Sequence, residues 1–319
     1  MIVEETVALS EFETEVLQGL QSNPKRLQSK YFYDEKGDKL FQEIMKLEEY
    51  YLTRCEFEIL STQKQAIVDS IDFQGGKMKW IEFGAGDGLK TKLLLQHLVQ
   101  HEYPIEYLPI DISASVLEQL SFSLKEQIPQ LKVELIADTY FSALQQLNSS
   151  EPKVVLFLGS NIGNFTAAEA KQFLQQVYEQ LNEGDYLLLG VDLKKQASII
   201  LDAYNDKKGV TRAFNLNLLD RINRELGADF DSSQFEHFPT YDPISGETTS
   251  FLISLTEQEV VFEGRSEKVH FKSGEPIFME ISKKYDIEEL ENMLNEVGFN
   301  KVEHFLDCKH YFVDTLWKK

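Results

Sequence analysis

The middle of the chain alternates short apolar runs with longer amphipathic stretches. MKWIEFGAG (78–86), IEYLPIDIS (105–113), LKVELIAD (131–138), the run VVLFLG that opens at Val154, and DYLLLGVDL (185–193) read as strands. The fourth is too continuously apolar to keep a face in water, so it should be buried on both sides. Between these runs LKTKLLLQHLVQH, SVLEQLSFSLKEQI and AAEAKQFLQQVYEQL carry the helical period. Strands that alternate with helices predict an α/β fold built on a parallel, doubly wound sheet. Ligands of such sheets bind beyond the carboxyl ends of the strands. The first strand delivers Gly84-Ala85-Gly86-Asp87-Gly88 to that end, the second Asp111, the third Asp138, and the fourth the run Gly159-Ser160-Asn161-Ile162-Gly163-Asn164. Small residues and amides at the end of so apolar a strand need hydrogen-bond partners, and a ligand crevice supplies them.

After Leu193 the pattern breaks. Residues 195–283 open with helical but loop-interrupted sequence and continue into alternating stretches, TTSFLISL and QEVVFEG, that predict antiparallel strands. From 286 the earlier style resumes, with the helix DIEELENMLNEVGF and the strands KVEHFLD and YFVDTLW. The expected organisation is a Rossmann-like domain of residues 61–194 plus 284–319, interrupted by an inserted α+β domain of residues 195–283 joined by residues 1–60.

Composition narrows the function. Hydrophobic residues at 42% and charged ones at 27% describe a globular chain, and the formal charge of −21 repels a nucleic-acid backbone or an anionic membrane. A small cationic or zwitterionic ligand suits it better. The two cysteines, Cys55 and Cys308, have neither redox-pair nor zinc spacing. The first residues, MIVEETVALSEFETE, have no targeting pattern, and no run of apolar residues is long enough to span a bilayer. A cytoplasmic monomer is expected. The glycosylation patterns Asn148-Ser149-Ser150 and Asn164-Phe165-Thr166 carry no meaning in that setting. His97 and His101 have helical i, i+4 spacing without a carboxylate ligand set, so no metal is expected.

Glycines just after a strand let backbone approach a ligand, and an acid at the end of the next strand can hold ribose hydroxyls. A dinucleotide fingerprint would place a third glycine at 89, where this chain has Leu89. Adenosine without a pyrophosphate, as in S-adenosylmethionine, fits better, and its sulfonium suits the acidic strand ends.

Seven segments carry a more specific resemblance: SKYFYDEKGDKLFQEIMKLEEYYLTRCEFEIL (29–60), WIEFGAGDGLKT, YLPIDIS, FLGSNIGNF, LLLGVDLKK, AYNDKKGVTRAFNLNLLDRINRELGADFD and EPIFMEISKKY. In this order they resemble the S-adenosylmethionine-dependent histidine Nα-methyltransferases of ergothioneine biosynthesis, over nearly the whole chain from residue 25. The resemblance implies a class I methyltransferase domain, a substrate-binding domain made of the N-terminal helices and the insertion, and methylation of the α-amine of L-histidine, to trimethylhistidine. It implies that Gly84, Gly86, Lys90, Asp111, Asp138 and Thr139 serve the cofactor. Tyr50, Gly159, Asn164, Tyr204, Glu280 and Ser282 would serve the amino acid, with Tyr33 near its α-amine as the catalytic hydrogen-bonding group. The chain departs from the family at Asp87-Gly88 and near Ser250-Phe251. Another amino acid or amine as acceptor, a non-catalytic ligand-binding relative, and a nicotinamide oxidoreductase are the alternatives.

Overall fold

The computed structural model describes residues 10–73, 76–144, 150–264 and 268–319. The pattern Asn148-Ser149-Ser150 and the first nine residues of the expected 1–60 segment fall wholly or partly outside them. The chain divides into two compact units, Tyr51–Gln196 with Pro243–Glu247 and Ser282–Lys319, and Met1–Tyr50 with Ala197–Asp242 and Thr248–Ile281. No described helix is long and apolar enough to cross a membrane.

The first unit is built on an eight-stranded sheet whose strands, in chain order, are β1 (Met78–Phe83), β2 (Ile105–Asp111), β3 (Lys132–Val133), β4 (Ile136–Ala137), β5 (Lys153–Phe157), β6 (Tyr186–Asp192), β7 (Asn300–Leu306) and β8 (Phe312–Lys318). They lie in the order β7-β8-β6-β5-β1-β2-β3, with β4 also pairing β2. Pairs among β1 to β6 are parallel, while β8 runs antiparallel to both β6 and β7. The expected third strand, 131–138, is two short pieces, β3 and β4, each paired with β2 alone among the described residues. Helices of this unit are α1 (Tyr51–Thr62), α2 (Lys64–Asp69), α3 (Thr91–Gln100), α4 (Ala114–Gln127), α5 (Tyr140–Leu144), α6 (Ala167–Gln180) and α7 (Ile287–Val297).

Every residue of β5 and β6 is buried, which is why their sequences show no polar alternation. Phe83, Phe157, Phe173, Leu189 and Trp317 anchor the core of this unit. α1 buries Tyr51, Leu52, Cys55, Glu56, Ile59 and Leu60 along one face. Because α1 packs on β8, the sheet unit begins at Tyr51 rather than at the expected residue 61.

In the second unit the strands Lys25–Arg26, Pro276–Lys283, Glu247–Ser254 and Phe235–Tyr241 form one sheet, and Gln258–Val261 pairs with Lys268–Phe271. The helices Glu11–Gln21, Glu35–Ile44 and Val210–Leu226 contribute Leu20, Ile44, Phe214, Leu218 and Ile222 to a core with Phe235, Phe271 and Met279.

Candidate active site

β1 is the point at which the order of the sheet reverses: the chain moves outward through β2 and β3, then crosses back to β5 on the other side of β1. Loops leaving the carboxyl ends of β1 and β5 therefore diverge and open a crevice. The β1 loop holds Gly84 and Gly86 at φ of 69° and 54°, conformations that favour glycine. A Cβ on Gly84 would sit 2.5 Å from the Tyr140 hydroxyl and 2.8 Å from Asn161 Nδ2, whereas one on Gly86 would meet nothing within 4 Å. Gly84 thus makes room for protein, and Gly86 leaves the space beside its Cα open.

Asp111 ends β2. Its Oδ2 accepts from the Gly86 N–H and its Oδ1 from the Ser113 N–H, both at 3.0 Å, so the carboxylate ties the glycine loop to the next strand. Burial pushes its carboxyl up from the ordinary value, against the pull of these N–H donors. Beside it, the Asp138 N–H donates to the Asp111 carbonyl at 3.1 Å. The Asp138 carboxylate accepts from the Thr139 N–H and the Ser142 hydroxyl, both at 2.7 Å, while the exposed Thr139 accepts the Ser142 N–H at 3.4 Å in the first turn of α5. Glu82, the penultimate residue of β1, is buried and accepts from Thr91 at 2.5 Å and from the Tyr107 hydroxyl. Burial lifts its carboxyl to about 7.

Lys90 ends the glycine loop and pairs with Glu56 of α1, whose other oxygen accepts from the Gly159 N–H at 2.7 Å. The Gly159 N–H is therefore committed inside the protein, and only its carbonyl and Cα edge can face a ligand. Its φ of 75° places the Lys90 ammonium 3.5 Å from where a Cβ would be. Asn164 closes the short 3-10 turn Asn161–Asn164, and the following helix is capped by Thr166 in a capping box with Glu169. Asn164 is not that cap, so its half-buried amide needs another reason to be there. Ser282 is buried and accepts from the Lys284 ammonium at 2.8 Å, which also pairs with Asp192.

In the second unit an aromatic line brings three expected residues together. Tyr33 packs edge-on against Phe41 at 5.6 Å, Phe41 against Tyr50 at 6.4 Å, and Tyr50 against Tyr204 at 6.5 Å. Glu280 is half-buried, on the face of its strand opposite the buried Ile277 and Met279.

The histidine-specific, S-adenosylmethionine-dependent methyltransferase model matches residues 12–319. This chain belongs to that family. It is 34% identical to the histidine N-alpha-methyltransferase of Mycolicibacterium smegmatis over 92% of this chain and 90% of that one. The corresponding enzyme of Mycobacterium tuberculosis is 32% identical with the same coverage. Ergothioneine biosynthesis protein 1 of Neurospora crassa is 30% identical over 93% of this chain, which spans 34% of that protein.

The methyltransferase therefore depends on a cofactor with an adenosine, a sulfonium and an amino-acid end, and the strand ends fit it. The open space beside the Gly86 Cα, the paired acceptor oxygens of Asp111 and the Lys90 ammonium lie at consecutive points of one loop system. Glu56, Asn161 and Tyr140 were not among the residues expected at this methyltransferase's site. Asn161 lies within the Gly-Ser-Asn run that drew notice, and Tyr140 and Glu56 carry no local sequence signal.

Proposed function

We propose that this N-methyltransferase acts on the α-amine of L-histidine and carries it to trimethylhistidine, a product that suits a step of ergothioneine biosynthesis. The match of residues 12–319 to a histidine-specific family carries the reading. S-adenosylmethionine supplies an electrophilic methyl group. The chain's task is to present a neutral amine in line with it, because an ammonium has no lone pair with which to attack. Tyr33, wedged between Phe41 and Phe214, is assigned the α-amine, and Tyr50, Gly159, Asn164, Tyr204, Glu280 and Ser282 the rest of the amino acid. Gly84, Gly86, Lys90, Asp111, Asp138 and Thr139 are assigned the cofactor. Holding the reacting atoms aligned is worth ~7 to 11 kcal/mol in favourable cases. No step calls on a metal. The reading extends to a monomer acting on a small molecule in the cytoplasm, with no nucleic-acid partner, which the charge of −21 supports.

Mass spectrometry of the products formed from S-adenosylmethionine and each of the twenty amino acids tests the assignment. Histidine gaining methyl groups on its α-nitrogen is the expected result, and no methyl transfer to any amino acid would sink it. Asn164 has a test of its own. Since Thr166 already caps α6, Asn164→Ala should weaken histidine binding about tenfold, the scale of one hydrogen bond to a charged group, with cofactor affinity nearly intact. Calorimetry in which both affinities fell together would assign Asn164 a structural role instead.

A further inference from the structure

Glu56 lies entirely out of solvent on the buried face of α1, a position where an apolar residue would cost far less to bury. The fold makes space for it. A Cβ on Gly190 of β6 would stand 2.2 Å from Glu56 Oε1 and 3.0 Å from Asp314 Oδ1, so glycine is required where these two acids meet. Asp314 is the partner of Gly190 across the β6–β8 pair and is likewise fully buried, with Glu56 as its acidic neighbour. Two carboxyl groups and one cation, Lys90, are thus enclosed together. Burial, with Glu56 alongside, pushes the Asp314 carboxyl well up. Burial alone would lower Lys90, but the charge and hydrogen bond of Glu56 outweigh it and the net shift is upward, so Lys90 stays an ammonium. The cluster is thus an ion pair of Glu56 and Lys90 with a second buried acid, raised in pKa, beside it.

We propose that Glu56 is a positioning residue for methyl transfer: it locks the Lys90 loop of β1 to the Gly159 loop of β5 and cancels the charge of Lys90 beside the cofactor. The inference rests on the assignment of Lys90 to the cofactor made above. An ammonium can donate hydrogen bonds to an amino-acid carboxylate, but an unpaired one close to a sulfonium repels it, and in a partly buried site that repulsion is weakly screened. Paired with Glu56, Lys90 remains a donor while the pair as a whole carries no net charge. The consequence is specific to the charge of the ligand. S-adenosylmethionine bears a sulfonium and S-adenosylhomocysteine a neutral thioether, and apart from the transferred methyl group the two are the same molecule.

The experiment compares the affinities of these two ligands by calorimetry in an Asp314→Asn background, which prevents Asp314 from ionising and taking over the pairing. Asp314→Asn alone should keep the wild-type ratio of the two dissociation constants. Adding Glu56→Gln, which keeps an oxygen for the Gly159 N–H and leaves Lys90 uncompensated, should weaken S-adenosylmethionine about tenfold more than S-adenosylhomocysteine. Further addition of Lys90→Met should return the ratio to within about twofold of wild type, even if both ligands bind less well. A general loss of structure would weaken both ligands alike. Parallel losses with an unchanged ratio, failure of Lys90→Met to restore it, or a shifted ratio in Asp314→Asn alone would each overturn the proposal. Should the Glu56→Gln protein not fold, the Lys90→Met protein gives the complementary reading. Its uncompensated Glu56 carboxylate should favour S-adenosylmethionine over S-adenosylhomocysteine more than in wild type, and an unchanged ratio would refute the charge role. If the wild-type protein bound neither ligand, the cofactor assignment would fail before the role of Glu56 was reached.

Discussion

Asp111→Ala is expected to weaken S-adenosylmethionine and S-adenosylhomocysteine alike by tenfold or more. The carboxylate sits at the end of β2 with one oxygen on the Gly86 N–H and the other on the Ser113 N–H. Each oxygen has a further lone pair, and two ribose hydroxyls are the donors that a nucleoside brings to such a position. Hydrogen bonds to a charged acceptor contribute about 1.5 to 3 kcal/mol, which is the stated tenfold loss or more. Loss of the carboxylate also frees the Gly86 N–H, so Asp111→Asn serves as the control: it keeps one acceptor oxygen and should fall between wild type and alanine. The acid side of the binding profile follows from the same group. Burial raises the Asp111 carboxyl, so on acidification it takes up its proton at higher pH than an ordinary aspartate with its value of 3.8. The folded protein without ligand thus gives up stability as pH rises through that window, and a ligand that donates to the carboxylate returns it. Cofactor affinity should accordingly fall with falling pH before ordinary carboxylates titrate, and the Asn variant should lack this fall. Calorimetry with unchanged affinity in Asp111→Ala would remove Asp111 from the cofactor site.

The residues at the strand ends were legible because their signal is local. A glycine cluster after an apolar run, an acid closing the next run and a small-residue loop after the fourth are all contained in stretches of a few residues, and the topology of a doubly wound sheet brings such stretches together. The capping box of Thr166 and Glu169 is a signal of the same local kind, complete within four positions. Glu56 was not legible. Its helix face reads as apolar with one acid in the stripe, and an acid there signifies nothing until Lys90 and Gly159 arrive from 34 and 103 positions away. The helical period also says that α1 has a buried face without saying what covers it, and the expected boundary therefore fell at 60 instead of 50. The split third strand has a similar cause. LKVELIAD alternates as a strand should, but at the edge of the sheet β2 alone pairs it among the described residues, two residues at a time.

The proposed choice of acceptor makes Glu280 the residue to test. In FMEISKK (278–284) the strand period puts Glu280 and Ser282 on one face, with Ile277 and Met279 buried on the other. A carboxylate and a hydroxyl two residues apart suit an imidazole: in the proposed pose Glu280 would accept from one ring N–H, and Ser282 would meet the other nitrogen. Phenylalanine offers neither partner, and a site built on buried polar groups rejects an analogue that leaves them unpaired by factors on the order of 10⁴. L-Histidine should therefore be the preferred acceptor, with tryptophan and tyrosine turned over far more slowly. Glu280→Ala should raise the Michaelis constant for histidine by at least about tenfold, the scale of a lost hydrogen bond to a charged group, while its discrimination against aromatic amino acids shrinks. Glu280→Gln keeps an acceptor oxygen but no charge and should lie between the two. S-adenosylhomocysteine affinity is the internal control, since the assigned role of Glu280 lies with the amino acid alone, and it should stay within about twofold of wild type. Competition assays with histidine, tryptophan and tyrosine in one mixture measure the ratio of kcat/KM directly. If the wild-type enzyme methylates the aromatic amino acids as well as histidine, or if Glu280→Ala leaves the preference for histidine where it was, then recognition of the imidazole lies elsewhere in the chain, and the methyltransferase assignment survives without it.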